Sequence, residues 1–131
     1  MIQSYRDLRV WQMGMDLAEA CYRLTQGFPR EEIYGLTSQI RRAAASIPAN
    51  IAEGYGRDGP KEFAQFLRVS RGSLRELETH LLLARRLDFC SMPALDGILE
   101  QTNQIERMPH GLYKSTQERS TNGRRRPESD H

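Results

Sequence analysis

Apolar side chains recur at steps of three and four residues through four separate stretches of this chain, and nowhere do they alternate in steps of two. The first pattern lays a stripe along one face of an α-helix, whereas the second marks a half-buried strand. An all-α fold is therefore expected. The first stretch, residues 5–27, carries Leu8, Trp11, Met15, Ala18 and Tyr22 on one stripe, read as the packing face with Trp11 largely buried. Val10, Leu17, Cys21 and Leu24 lie beside it, and so wide a face suits a helix with two neighbours. Ser4 is placed to cap this helix, Asp7 to complete a capping box, and Gly27 and Pro29 to stop it. The second stretch, residues 35–54, runs through Leu36, Ile40, Ala44, Ile47 and Ile51 and is rich in alanine, which lets two backbones come close. The third, residues 60–87, starts with Pro60 in its first turn and is expected to bury Phe63, Phe66, Leu67, Ser70, Leu74, Leu77, Leu81 and Ala84. The fourth, residues 92–115, is capped by Ser91, follows Leu95, Ile98, Leu99, Thr102, Ile105, Met108 and Leu112, and is interrupted by Pro109.

Four such helices on short connections make an up-down antiparallel four-helix bundle, expected over residues 1–115 of the 131. The remaining residues, 116–131, read "TQERSTNGRRRPESDH" and have too little to bury to repay ordering, so a disordered polar tail is expected. No apolar run approaches the roughly 18 residues of a membrane span. The opening "MIQSYRDLRVW" is charged early and is not a secretory leader. Cys21 and Cys90 lie far apart without a metal-ligand or redox spacing. Free thiols and a cytoplasmic address are the expectation.

The segment "SIPANIAEGYGR", residues 46–57, sets the main structural question. Pro48 falls inside the second helix, where a proline costs about 3 kcal/mol by removing a donor and pressing on the preceding turn. Yet the apolar period continues through it, so a helix kinked at Pro48 and held by packing is expected. Ser46 or Asn50 is placed to satisfy a freed carbonyl. Glu53, if turned inward, needs a cation, with Arg42, Arg57 and Arg71 as candidates. Pro48, Asn50, Glu53 and Gly54 together read as a structural motif.

Catalytic and metal signatures are sparse. His80 has Glu76 one turn before it but no second such pair exists for a dinuclear carboxylate site, and no metal or cofactor is expected. "GYGRDG" follows a helix, not a strand, so it lacks the setting of a phosphate-cradling loop. Charge is more informative. The net charge is only +2, but residues 34–89 hold nine Lys/Arg against six Asp/Glu. Arg68, Arg71 and Arg75 share one helical face, and Arg41 and Arg42 are candidates to join them in contacting phosphates. Glu53, Glu62, Glu76 and Glu78 are the acids that would neutralise such a face.

"SYRDLRVWQ", "YGLTSQIRRAAASIPANIAEGYGR", "KEFAQFLRVSRGSLRELETHLLLARRL" and the closing "GLYKS" resemble the four-helix bundle family named for proteins encoded in intervening sequences of bacterial 23S ribosomal RNA genes. The resemblance runs over roughly residues 4–115, and Pro109 departs from its uninterrupted last helix. It implies an up-down bundle, a homo-oligomer, typically a homopentamer, and no established enzyme activity. A related branch, the accessory variability determinant of diversity-generating retroelements, adds nucleic acid and a reverse transcriptase as implied partners. Two functions follow. The leading one is a non-enzymatic, homo-oligomeric structural or binding module that meets RNA, DNA or a nucleic-acid enzyme through a basic face. The alternative is a small enzyme or ligand-binding bundle using Asn50, Glu53 and Arg71.

Overall fold

A computed structural model describes residues 2–57 and 59–108. Four helices follow one another: α1 Arg9–Thr25, α2 Leu36–Tyr55, α3 Pro60–Arg86 and α4 Met92–Glu106. Among the described residues there is no strand. The expected tail at 116–131, the Pro109 interruption and the domain limit at 115 lie outside the described residues.

Cross-helix contacts set the directions. Gly14 of α1 packs on Pro48 of α2, while Thr25, later in α1, meets Arg41, earlier in α2. Ser46 and Gly54 of α2 meet Ser73 and Phe66 of α3 in reversed order. Glu78 and Arg71 of α3 meet Thr102 and Glu106 of α4, reversed again. Each helix is therefore antiparallel to the one before it, and α4 closes the bundle by packing on α1 as well as α3. Leu17, Ile47, Leu77 and Ile105, one from each helix, are at most 1 % exposed in the shared core.

The ends are built by local chemistry. Ser4 and Asp7 form the expected capping box, but around a short 3-10 turn, Tyr5–Asp7. Leu8 is then extended and fully buried, and α1 begins only at Arg9. Backbone N–H groups of Gln3 and Ser4 bond the Asp7 carboxylate and hold it below its ordinary pKa. Helix α3 ends with Asp88 at φ 63°. Asp88 N–H donates to Arg85 and Phe89 N–H to Ala84, a Schellman closure with aspartate where glycine is commonest. It delivers the Phe89 ring to Phe28, centroids 5.6 Å apart, tying the α3–α4 connection to the α1–α2 connection.

Helix α1 corrects one expectation. Its buried stripe is Val10, Gly14, Leu17, Cys21 and Thr25. Met15 and Tyr22 are 46 % and 44 % exposed, and Trp11 is half-buried, edge-on to Tyr5 at 5.3 Å. The cause is the close approach at Gly14, which turns that side of α1 toward α2. A glycine and a threonine count for nothing in a tally of apolar residues, yet they mark the line of contact.

Helix α2 runs unbroken through Pro48, which is buried within it. Ser46 Oγ donates to Ala43 O at 2.8 Å, Asn50 Nδ2 to Ser46 O at 2.8 Å, and Ser70 Oγ of α3 to Ile47 O at 3.1 Å. Polar side chains thus flank the proline turn from two helices. Gly54 fixes the other end of the same seam, because a Cβ there would lie 2.6 Å from Phe66 Cβ and 3.1 Å from Phe63 Cδ1. Gly72, also helical, has nothing within 4 Å of its would-be Cβ. Both substitutions to alanine gain about 1 kcal/mol of helix propensity. Gly72→Ala should therefore stabilise by up to about 1 kcal/mol. Gly54→Ala should destabilise by about 1–3 kcal/mol, since the clash is with an atom fixed to the α3 backbone. Urea unfolding of the two variants checks the opposite signs.

Candidate functional site

Helical spacing places Arg68, Arg71 and Arg75 on the flank of α3 that borders α4. Arg71 and Arg75 both reach one carboxylate oxygen of Glu106, at 3.1 and 3.2 Å. The Arg71 Nε atom is buried and without a hydrogen-bond partner among the described residues. Arg68 is exposed and makes no ion pair among the described residues. Lys61 lies seven residues before Arg68, and Arg86 eleven after Arg75, so both continue the same outer line of the helix.

Of the acids named from the sequence, Glu78 shares this flank, three residues beyond Arg75, and the others lie elsewhere. Glu78 accepts a hydrogen bond from the Thr102 hydroxyl at 2.8 Å. Glu76 pairs with His80 at 3.6 Å. Glu62 borders a shallow cavity with Arg57 and Phe66. Glu53 is exposed and pairs with Arg57 at 2.7 Å, not inward with Arg71. The group that pairs with Arg71 and Arg75 is Glu106, which sequence reasoning did not single out.

Arg41 and Arg42 do not join that face. Arg41 turns toward α1, where its Nε donates to Thr25 Oγ1 at 2.8 Å and its guanidinium lies 4.7 Å over the Tyr22 ring. Arg42 points outward from α2 and bonds Gln39 at 3.0 Å. The alternative constellation also disperses. Asn50 bonds its own helix, Glu53 pairs with Arg57, and Arg71 belongs to the α3–α4 flank. The structure thus gathers three of the five candidate arginines and separates the three residues of the enzyme reading.

No group of three His, Cys, Asp or Glu able to hold a metal exists among the described residues. None of their helices is long and apolar enough to cross a membrane. What the α3 flank can do is electrostatic. A line of guanidinium and ammonium groups on one rigid helix, spaced along its axis, can bond phosphates without reading bases.

A family model described as 23S rRNA-intervening sequence protein matches residues 6–111. No curated protein matches the chain.

The cysteines give a check on this packing. Burial pushes the Cys21 thiol up to about 12. It also raises the Cys90 thiol, against the opposing pull of Arg85. Cys21 is fully buried in α1 and Cys90 only half-buried. Alkylation of the native chain at mildly alkaline pH should modify Cys90 first and leave Cys21 intact until the bundle unfolds. Peptide mass analysis over time reads the order, and equal rates would contradict the burial of α1.

Proposed function

The chain belongs to the 23S rRNA-intervening sequence protein family, and from that premise we propose that it is a non-catalytic cytoplasmic binding module whose copies associate and present the α3 flank to nucleic acid. The observation that carries this reading is the line Lys61, Arg68, Arg71, Arg75 and Arg86, opposed in part by the carboxylates of Glu106 and Glu78. Phosphates compete well for such groups. Ion pairs this exposed contribute only about 0–1 kcal/mol each, so exchanging Glu106 for a phosphate oxygen costs the fold little. Binding of this kind is tolerant of sequence and releases counterions.

Self-association is supported by a second surface. Trp11, Met15, Ala18 and Tyr22 line the outer side of α1 next to exposed Ala45 and Ala49 of α2. An apolar strip of this extent suits another copy of the chain, in a pentamer as the resemblance implies. Repetition then multiplies a modest basic line into a multivalent one. A nucleic-acid enzyme of the reverse transcriptase class is a fitting protein partner for such a ring, since both would share one polynucleotide.

Light scattering should give a mass several times that of one chain, and Met15→Glu should lower it. Titration with structured RNA and duplex DNA should show affinity falling steeply with salt, with a slope that flattens by about 0.9 for each phosphate contact removed. Arg68→Glu with Arg75→Glu should weaken binding uniformly across sequences without loss of helical signal. Glu106→Gln should strengthen binding and steepen the salt slope, because it frees two arginines. No binding at low salt, or equal binding by the double variant, would overturn the nucleic-acid reading.

A further inference from the structure

The corner between α1 and α2 holds a cavity of about 480 Å³, on a different face from the α3 arginines. Its apolar floor is Phe28, Pro29 and Ile33, and its polar wall is Arg30, Thr37 and Arg41. No carboxylate lines it. Glu32, in the same connection, is engaged in accepting the Leu36 backbone N–H at 2.9 Å.

The polar wall joins α1 to α2 and keeps an unneutralised charge beside the cavity. Thr25, 3 % exposed, donates its hydroxyl to Cys21 O at 2.9 Å and accepts from Arg41 Nε at 2.8 Å. Arg41 also reaches Tyr22 O at 3.3 Å. The guanidinium is therefore fixed in place by uncharged acceptors, and its charge is not neutralised. Arg30 has no ion pair among the described residues. Thr37 is only 3 % exposed, yet its hydroxyl has no hydrogen-bond partner among them. The hydroxyl is not enclosed by the fold, so it stays open to a partner arriving through the cavity that Thr37 lines. Two forked cations and a hydroxyl over an apolar floor match an anion with an apolar body, and phosphate is the anion that forked guanidinium groups bond best. The volume lies within the range of small-molecule sites.

We propose that this corner binds a nucleoside 5′-monophosphate group, its phosphate on Arg30, Arg41 and Thr37 and its base against Phe28, Pro29 and Ile33. The group is either a free nucleotide or the phosphorylated 5′ end of a strand. The choice of a nucleotide rests on the nucleic-acid reading above, whereas the anion-binding wall stands on its own geometry.

Calorimetric titration of the full chain with AMP tests the site, with inorganic phosphate and adenosine as partial probes. AMP should bind at least about tenfold more tightly than either part. Arg30→Met, at an exposed position, should weaken AMP about tenfold, and Thr37→Val about fivefold, at unchanged melting temperature. A single-stranded oligonucleotide with a 5′-phosphate should bind more tightly than its 5′-hydroxyl form if the strand end is the source. Equal binding of the two forms, with AMP still bound, assigns the free nucleotide. Because the α3 flank does not distinguish strand ends, loss of all duplex binding with AMP retained would overturn only the α3 reading. Absence of AMP binding at millimolar concentration, phosphate binding as tight as AMP, or unchanged affinity in Arg30→Met would overturn the proposal.

Discussion

Pro48 is held between two helices, and the arrangement of the bundle follows from that contact. A proline in a helix interior forfeits one backbone bond, at about 3 kcal/mol. Here its ring lies against Gly14 of α1, where a Cβ would come within 3.3 Å of Pro48 Cβ. On the other side, Ser70 of α3 bonds the carbonyl of Ile47, the residue just before it. The proline turn is therefore a place where backbone and side chains of three helices are brought into register. The carbonyl freed by the proline is that of Ala44, whereas Ser46, Asn50 and Ser70 donate instead to Ala43, Ser46 and Ile47, so the local loss is offset by close packing. Gly54 extends the same logic to the end of α2, where Phe63 and Phe66 of α3 occupy the space a side chain would take.

The helices and their order were legible because their cause is local. Periodicity of three and four, Pro60 and Pro93 in first turns, and Ser91 as a cap all act within one turn of chain. The rotation of α1 was not legible, because it depends on which neighbour comes closest. Gly14 and Thr25 mark that line, and neither adds to an apolar pattern. The end of α3 was placed to within a residue, but its closure was not legible, since an aspartate stands at the left-handed position that glycine usually signals.

The site divides in the same way. The alignment of Arg68, Arg71 and Arg75 is a property of one helix and was readable from spacing. Their partner was not, because Glu106 lies 35 residues from Arg71 in sequence. A signal existed nonetheless. In an antiparallel hairpin, partners are mirrored about the turn, and the α3–α4 turn was locatable from Ser91 and Pro93. Reflecting Arg71 and Arg75 about that turn leads to the stretch that contains Glu106. The same reflection about the α2–α3 turn pairs Ser46 with Ser73, and would have shown Arg71 to be out of reach of Glu53's outward face.

The two seams of α3 differ in kind, and that difference bears on how its basic line is governed. Against α2 the contact is close and partly backbone: Gly54 on Phe66, Ser70 on the Ile47 carbonyl, and Ser46 Oγ 2.7 Å from Ser73 Oγ. Against α4 the polar links are long side chains, Arg71 and Arg75 to Glu106 and Glu78 to Thr102. Close packing has discrete fits and resists sliding, whereas exposed ion pairs exchange partners at little cost. The α2 seam therefore holds the arginine line straight, and the last turn of α4 sets how much of its charge is free. Glu106 is one carboxylate at the end of one helix and not part of the core, so on the nucleic-acid reading proposed above a phosphate at Arg71 and Arg75 would displace it without disturbing the fold that positions them.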